Sequence, residues 1–314
     1  MQSFEHTKLT KRTQQRYTTL LGKWTEYLKR DFVDWIVDPD GAVEQLGSFP
    51  ISHSPENHHF YLTAGVAYAN HVMKDDVLTD KWKKHQKANW EVIQERYDEN
   101  RPSDLQRRCI MPYEEILKIR NTLEKGSIER LLLSLYTIME PVRADYFATE
   151  LITEGQTPKA DNYITDLSKI TITDFKTKGV YEKIENILPE EIQEELRLSL
   201  EKQPRNYLFV NSSLAPYDSR TAFSVWACRA LTRCLKHPMT LTVLRHLYIG
   251  HQASCKSTKE LRLIARKMGH SRNMQRMYEW DKSQEWITDE RSEEHTSELQ
   301  SHLNLVCRLL LEKK

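Results

Sequence analysis

The sequence lacks long apolar runs, paired cysteines and a secretory leader, and each absence excludes a class of protein. No apolar run approaches the roughly 20 residues that a membrane-spanning helix needs. The N-terminus, MQSFEHTKLTKRTQQRY, is polar and contains no apolar core of a signal peptide. The five cysteines are scattered, with no CxxC pair, which favours reduced thiols. We therefore expect an intracellular protein, cytoplasmic or nuclear, with no membrane partner.

A strong charge of one sign is also missing. The 314 residues carry a net charge of +1, with 39% hydrophobic and 29% charged residues, which is typical of a globular protein. The distribution of charge is more informative. Residues 256–276 contain seven Lys or Arg against one acid, whereas residues 182–201 contain seven Glu against two basic residues. A basic surface balanced by an acidic one favours a protein that binds a polyanion on one face, although solvated helix faces would give the same pattern.

The last 24 residues, RSEEHTSELQSHLNLVCRLLLEKK, differ abruptly in character from the rest. They resemble the read-through translation of a sequencing-library adapter, so residues 291–314 are interpreted as a non-native tail and excluded from functional reasoning. The alternative is a genuine amphipathic C-terminal helix built on LNLVCRLLL. Resequencing the source DNA across codon 290 would decide between them.

Two blocks of predicted structure are separated by a polar linker. Residues 1–97 form a helical block with tryptophan and tyrosine interleaved among lysine and arginine, and residues 98–110 form the linker. The periodicity of apolar residues predicts helices over 10–28, 57–72 and 80–97, with a turn over 73–76.

Residues 111–290 form the second block, which is mainly helical with a small β-sheet. Alternating β-branched residues around a Lys/Gly break, in ITDLSKITITDFKTKGVYEKIENIL, predict a hairpin or sheet. The fold class is therefore mainly α with a small sheet, α+β. Helices are predicted over 112–122, 128–139, 141–151, 189–203, 219–235, 240–251 and 258–268. Pro141 suits a first helical turn, which would place Arg143 near a helix start, where free N–H groups favour an anion.

The segment KELRLIARKMGHSRNMQRMYEW predicts a tight turn between two helices. Gly269 fits the position that ends a helix, and Ser271 can cap a new one. Tyr278 follows His270 by eight residues, so an imidazole would lie beside a phenol. The first helix would bury a stripe at i, i+3, i+4 and i+7, formed by Leu261, Ile264, Ala265 and Met268.

This pattern resembles the tyrosine recombinases, or phage-type integrases, over roughly residues 110–290. GHS followed by a tyrosine eight residues on resembles their C-terminal signature. LTVLRHLYI resembles their His-x-x-Arg-His box and supplies Arg245 and His246. MEPVRADYFATEL resembles their first arginine box and supplies Arg143. ITDFKTKGVYEKI resembles the β-hairpin that carries their lysine, assigned here to Lys176 with Lys178 as the competing choice.

The resemblance implies a set of catalytic roles. Arg143 and Arg245 would clamp the non-bridging oxygens of a phosphodiester with permanently charged, bidentate donors. Tyr278 would attack phosphorus and form a covalent 3′-phosphotyrosine. Lys176 would protonate the leaving 5′ oxygen, and His270 would donate a hydrogen bond to the phosphate. No metal or cofactor is required, since the arginines supply the positive charge.

The resemblance also implies partners. The family recombines double-stranded DNA as a homotetramer on synapsed sites, with a helical N-terminal domain that clamps the duplex. The EPVRADY and FKT forms look more like integrases of large DNA viruses or eukaryotic mobile elements than bacterial ones. Candidate DNA-binding residues are Lys11, Arg12, Arg16 and Arg272.

The sequence departs from the family at Thr242, which stands where the first histidine of the second box is usual. That histidine accepts the proton of the tyrosine, and threonine cannot act as a base near neutral pH. Either a neighbour such as His246 or His237 helps, or water takes the proton and the reaction is slower. The two rival interpretations are a type IB topoisomerase, which shares the chemistry but relaxes DNA as a monomer, and a catalytically impaired DNA-binding relic.

Overall fold

The computed structural model describes residues 4–48 and 54–280. The chain separates into two compact units, one ending at Arg101 and the other beginning at Pro102. The division falls inside the predicted linker, and this linker contains a short helix, α6 (Asp104–Arg107), which a capping box of Ser103 and Gln106 stabilises. Residues 281–290 and the proposed tail, 291–314, lie outside the described residues.

The first unit is helical, as predicted. Asp75 caps the last helix by accepting a hydrogen bond from the backbone of Leu78, so the helix begins at Asp76, four residues before the predicted start. Two short helices in the 29–53 region were not predicted. The elements are α1 (Lys11–Leu28), α2 (Phe32–Ile36), α3 (Pro39–Leu46), α4 (Pro55–Tyr68), a π-helical turn (Ala69–Met73) and α5 (Asp76–Asp98).

Three wholly buried tryptophans form the centre of this unit. Trp24 of α1 lies 4.8 Å from Trp35 of α2 and 5.7 Å from Trp82 of α5, measured between ring centroids. The indole of Trp82 donates a hydrogen bond of 3.0 Å to the carbonyl of Ile36. Gly65 of α4 faces the same ring, and a Cβ there would lie 2.8 Å from it. The interleaved aromatic residues of the sequence are therefore core residues, because tilted ring pairs bury large apolar areas.

The second unit is built around one buried helix, α8, which packs against its neighbours α7, α10, α11 and α12. Every residue of its sequence RLLLSLYT is buried. The helices of the unit after α6 are α7 (Tyr113–Thr122), α8 (Ile128–Thr137), α9 (Lys178–Tyr181), α10 (Glu190–Lys202), α11 (Arg220–Leu235), α12 (Leu241–Cys255), α13 (Thr258–Lys267) and α14 (Arg272–Arg276).

A four-stranded sheet lies beside these helices, in the order β1-β2-β3-β4. β1 is parallel to β2, and the other pairs are antiparallel. The loop between β3 and β4 carries the two candidate lysines, so the predicted lysine hairpin is present. The strands are β1 (Glu150–Ile152), β2 (Asn162–Thr165), β3 (Lys169–Ile172) and β4 (Ile184–Ile187). The predicted fold class, mainly α with a small sheet, is confirmed.

The helix predicted over 141–151 is wrong: residues 141–149 are irregular and lead into β1. Alternate backbone carbonyls of this segment accept hydrogen bonds from residues outside it instead of forming helical bonds. Because backbone groups must be paired when buried, these tertiary donors hold the chain out of a helix. Arg143 therefore does not lie at a helix start. The pairs, carbonyl first, are Pro141 with Arg245, Arg143 with Tyr136, Asp145 with Asn162, Phe147 with Tyr217 and Thr149 with Leu208.

Two further observations bear on the sequence analysis. Of the residues described, none belongs to a helix both long and apolar enough to cross a membrane. The cysteines within the described ranges are free thiols, namely Cys109, Cys228, Cys234 and Cys255.

Candidate active site

A groove of about 360 Å³ in the second unit brings together residues from three separate sequence motifs. Arg143 comes from the irregular segment before β1, Thr242 and Arg245 from α12, and Tyr278 from the chain after α14. Arg220, at the start of α11, lies on the same groove. Three guanidinium groups and no carboxylate line it, so the groove is suited to an anion.

Arg245 is the buried member of the set, with 2% of its surface exposed. Its Nε donates a hydrogen bond of 3.0 Å to the carbonyl of Pro141. A buried charge is tolerated only when it is paired or hydrogen-bonded, so this contact is part of what allows the side chain to be buried. The same contact joins α12 to the segment that carries Arg143, and it brings the two arginine boxes together.

The turn after α13 has the predicted form. Gly269 has φ +69°, a left-handed conformation that favours glycine, and a Cβ there would lie 2.8 Å from Ile184 Cδ1, so that side chain would have to shift. Ser271 then caps α14 by accepting a hydrogen bond of 3.2 Å from the backbone of Met274. Between them, His270 is directed inward and is 3% exposed.

His270 is a neutral imidazole at physiological pH. Burial, and then the charges of Arg245 and Arg143, lower its pKa to about 3. Its Nδ1 lies 3.5 Å from a terminal nitrogen of Arg245, which can only donate. The neighbours therefore assign the hydrogen to Nε2. That Nε2 is buried and its N–H has no hydrogen-bond partner among the described residues.

Tyr278 is half-buried between these groups. Its ring stacks on His270 at 5.6 Å with an interplanar angle of 5°, and the guanidinium carbon of Arg245 lies 5.1 Å from the ring centre. Burial alone would raise the pKa of this phenol. The charges of Arg245 and Arg143, together with hydrogen bonds from both, outweigh burial and lower the pKa of Tyr278 below its usual value.

His246 supports the tyrosine and the chain that follows it. Its Nδ1 lies 3.0 Å from the backbone carbonyl of Tyr278, and its ring stacks on Trp280 at 4.1 Å. It is 8% exposed. Thr242, one turn earlier on α12, is exposed on the groove. His237, the other candidate helper, is not among the groove-lining residues.

The candidate lysines lie on the connection between β3 and β4, Lys178 as the first residue of α9, and outside the groove lining. Lys178 forms an ion pair of 3.2 Å with Asp174. Lys176 is exposed and forms no ion pair with any residue that the structure describes. The structure thus brings Arg143, Arg245, His270 and Tyr278 together, and leaves both lysines on an adjacent exposed loop.

Comparison with solved structures identifies the architecture. A structure of a lambda integrase dimer bound to a COC′ core site is 16% identical and has a TM-score of 0.57, with 91% of this chain and 94% of that chain covered. The chain has the tyrosine recombinase fold. A second lambda integrase dimer on a COC′ core site is 15% identical with a TM-score of 0.56, covering 90% of this chain and 76% of that chain.

A further solved structure is less similar, and two other comparisons found no match. A XerA recombinase structure is 14% identical, covers 91% of this chain and 98% of that chain, and has a TM-score of 0.41. No protein-family model and no curated protein matches the sequence. The comparisons therefore confirm that the chain has the fold of the family its sequence resembles.

The candidate DNA-binding residues occupy two kinds of position. Lys11, Arg12 and Arg16 are exposed on α1, and the guanidinium of Arg16 lies 4.1 Å above the ring of Phe60. Arg272 is half-buried and pairs with Glu279, so it is engaged within the protein. DNA contact by all four stays a prediction.

Sequence motifs did not indicate Arg220. Its Nε donates to Asp145 at 2.8 Å, and its Nη2 donates to the carboxylate of Asp174 at 2.8 Å. The only local signal is Ser219, which caps α11 immediately before it. Within the described residues, no cluster of three or more His, Cys, Asp or Glu side chains could hold a metal ion.

Proposed function

We propose that this protein is a site-specific DNA recombinase or integrase that cleaves and rejoins DNA through a covalent 3′-phosphotyrosine at Tyr278. One observation carries the proposal. Two arginines and a neutral histidine with a free N–H surround a tyrosine whose pKa they lower, at a groove with no lining carboxylate.

The arrangement suits in-line displacement at a phosphodiester. Arg143 and Arg245 hold the non-bridging oxygens and stabilise the negative charge that develops on them. The Nε2–H of His270 donates a third hydrogen bond. The Tyr278 oxygen attacks phosphorus, a new P–O bond forms, and the bond from phosphorus to the 5′ oxygen breaks. The reverse reaction, attack by a 5′ hydroxyl on the phosphotyrosine, rejoins the strand and releases the phenol.

The lowered pKa of Tyr278 bears on the missing base at Thr242. Because Arg245 and Arg143 stabilise the phenolate, a larger share of the tyrosine is ionised at a given pH, and less is required of a base. In this proposal water takes the phenolic proton. His246 acts as a support for the backbone of Tyr278 and Trp280.

Lys176 is the proposed general acid that protonates the leaving 5′ oxygen. The pairing of Lys178 with Asp174 favours Lys176, because an ammonium held by a carboxylate is less free to reach a substrate. Lys176 is exposed and has no such partner among the described residues.

Double-stranded DNA is the proposed substrate, and the exposed Lys11, Arg12 and Arg16 are proposed phosphate contacts of the first unit. The similar lambda integrase structures are dimers bound to a COC′ core site. Recombination requires four strand cleavages, so we propose that a homotetramer on two synapsed DNA sites is the active assembly. The forms of the arginine and lysine boxes favour an integrase of a large DNA virus or mobile element.

A trapping assay on suicide substrates tests the proposal. The protein is incubated with a pool of duplexes of random sequence, each nicked so that the fragment beyond the cleavage point is short and diffuses away, which prevents religation. The strand is labelled at its 5′ end, because a 3′-phosphotyrosine retains the upstream fragment. We expect a labelled protein–DNA adduct that resists denaturation, forms in EDTA and maps to the peptide containing Tyr278.

Tyr278→Phe is the matched variant, since it removes only the attacking oxygen. An adduct that persists in this variant, or one that retains a 3′ label instead of the 5′ label, would contradict the proposal. Incubation with supercoiled plasmid tests the topoisomerase alternative, which predicts catalytic relaxation of a plasmid that lacks any sequence recovered from the random pool. DNA binding without any covalent adduct would indicate a catalytically impaired relic.

A further inference from the structure

Both ends of the short segment that carries Lys176 are hydrogen-bonded to the active site. We infer that Arg220 and Thr177 are positioning residues, which hold this segment against the chain that follows Arg143 and against the turn that carries His270. The inference rests on the proposed function, because it concerns how the general acid of that reaction is placed.

The first tether joins Asp174 to Asp145. Arg220 donates from Nε to the Asp145 carboxylate at 2.8 Å, and from Nη2 to both the backbone carbonyl and the carboxylate of Asp174, at 2.7 and 2.8 Å. Asn162, which is 2% exposed, donates from one amide nitrogen to the carbonyls of Asp145 and Asp174 at 2.8 and 3.2 Å. Two side chains, Arg220 and Asn162, thus bridge the same two residues.

The second tether joins Thr177 to the His270 turn. The hydroxyl of Thr177 donates a hydrogen bond of 2.6 Å to the carbonyl of Gly269, the residue before His270. The ring of Phe175 is 4% exposed and would lie 3.3 Å from a Cβ at position 269, so this ring packs directly on the glycine backbone. The absence of a side chain at Gly269 therefore allows the lysine segment to approach the turn.

Lys176 lies between these tethers, with Asp174 two residues before it and Thr177 immediately after it. Its side chain is exposed and unpaired among the described residues, so no side-chain contact places it. Only its backbone is held, from both sides. A misplacement of about 1 Å in a catalytic group can cost on the order of a hundredfold in rate, so loss of either tether should reduce proton transfer to the leaving group.

Replacing the leaving 5′ oxygen by sulfur isolates that step. An alkoxide must be protonated as it leaves, whereas a thiol has a pKa of about 8.5 and leaves as a thiolate without an acid. A variant that acts only by misplacing Lys176 should be defective on the oxygen substrate and nearly normal on the sulfur substrate. A variant that loses phosphate binding or folding should be defective on both.

The test uses duplexes of the sequence recovered from the random pool, made with either a 5′ oxygen or a bridging 5′ sulfur at the scissile phosphate. Thr177→Val keeps the shape of the side chain and removes the hydroxyl. We expect it to slow cleavage of the oxygen substrate about ten- to a hundredfold, and to cleave the sulfur substrate within about threefold of the parent protein. Thr177→Ser should restore cleavage, and Arg220→Gln should behave like Thr177→Val.

Lys176→Ala serves as the reference variant, because loss of the general acid itself should slow cleavage of the oxygen substrate and leave cleavage of the sulfur substrate nearly normal. Arg233→Gln is the matched control, because Arg233 lies on the same helix as Arg220 and forms an exposed ion pair with Glu129. Equal losses on both substrates for Thr177→Val and Arg220→Gln would overturn the inference, and for Arg220 they would indicate direct phosphate binding. Failure of the parent protein to cleave either substrate would instead overturn the proposed function.

Discussion

The candidate site consists of a buried half and an exposed half, and they are held in place by different means. Arg245 and His270 are 2% and 3% exposed, and packing with hydrogen bonds to the protein places both. Lys176 and Thr242 are exposed, and only the backbone beneath them is held. In the proposed reaction, the groups that would be oriented before substrate binds are part of the core, and the group that would reach the leaving atom is at the surface.

This difference separates stability from activity. A change in the buried half removes contacts that also hold the fold, so it should reduce the free energy of unfolding and the rate together. A change in the exposed half removes no packing, so it should alter the rate alone. Four predictions test this contrast.

The largest effect is expected from Arg245→Ala. The substitution leaves the Pro141 carbonyl without its donor and opens a cavity, so we expect a loss of about 2–4 kcal/mol in the free energy of unfolding. Cleavage should fall by at least about a thousandfold. Arg143→Ala, at a half-buried side chain, should slow cleavage by a similar factor. It should lower the free energy of unfolding by less than about 1 kcal/mol. Urea unfolding and the trapping assay measure the two quantities, and equal destabilisation by both variants would contradict the contrast.

Lys176→Ala should slow cleavage by about a hundredfold or more, because a general acid contributes that much. Unfolding should be unchanged, since the side chain is exposed and unpaired among the described residues. Lys178→Ala is the matched control: it breaks an exposed pair with Asp174 worth at most about 1 kcal/mol. A larger rate loss for Lys178→Ala than for Lys176→Ala would reverse the assignment of the general acid.

His270 should make the protein less stable in mild acid. Its pKa is about 3 in the folded protein and 6.5 in a free side chain. Between these values the unfolded chain binds a proton that the folded chain does not, so stability falls as pH drops below 6.5. At pH 5 the contribution is about 2 kcal/mol. We expect the stability of the parent protein relative to His270→Gln to fall by that amount between pH 7 and pH 5, and a pH-independent difference would show that the histidine is not held neutral.

The smallest expected effect is an increase in the cleavage rate. Thr242→His would place an imidazole on the groove one turn before Arg245, where it could accept the phenolic proton of Tyr278. We expect cleavage near neutral pH to rise about tenfold, which is less than a full general base supplies because the lowered pKa of Tyr278 has already met part of the requirement. Thr242→Gln is the control for size and polarity. An equal gain with glutamine would show that proton transfer is not involved.

Sequence patterns correctly predicted the elements that depend on interactions between residues close together in the chain. The stripe from Leu261 to Met268, the left-handed Gly269 and the Ser271 cap all have the predicted form, because periodicity, positive φ and capping depend on neighbours along the chain. Such patterns failed at 141–149. There Pro141 indicated a helix start, but four of the five bonded carbonyls accept from donors distant in sequence, and a local pattern carries no information about such partners.

The sequence by itself determined the proposed catalytic residues and their order: Arg143, Lys176, Arg245, His270 and Tyr278. Only the tertiary structure decided the protonation of these residues and how they are held in place. Burial and two adjacent guanidinium charges keep His270 neutral, and the same two charges make Tyr278 more acidic in spite of its burial. Arg220 joins the lysine loop to the arginine segment although it lies 46 residues from Asp174 and 75 residues from Asp145 in the chain. The physical reason is that pKa values and tethers depend on distances in space, which chain spacing does not specify.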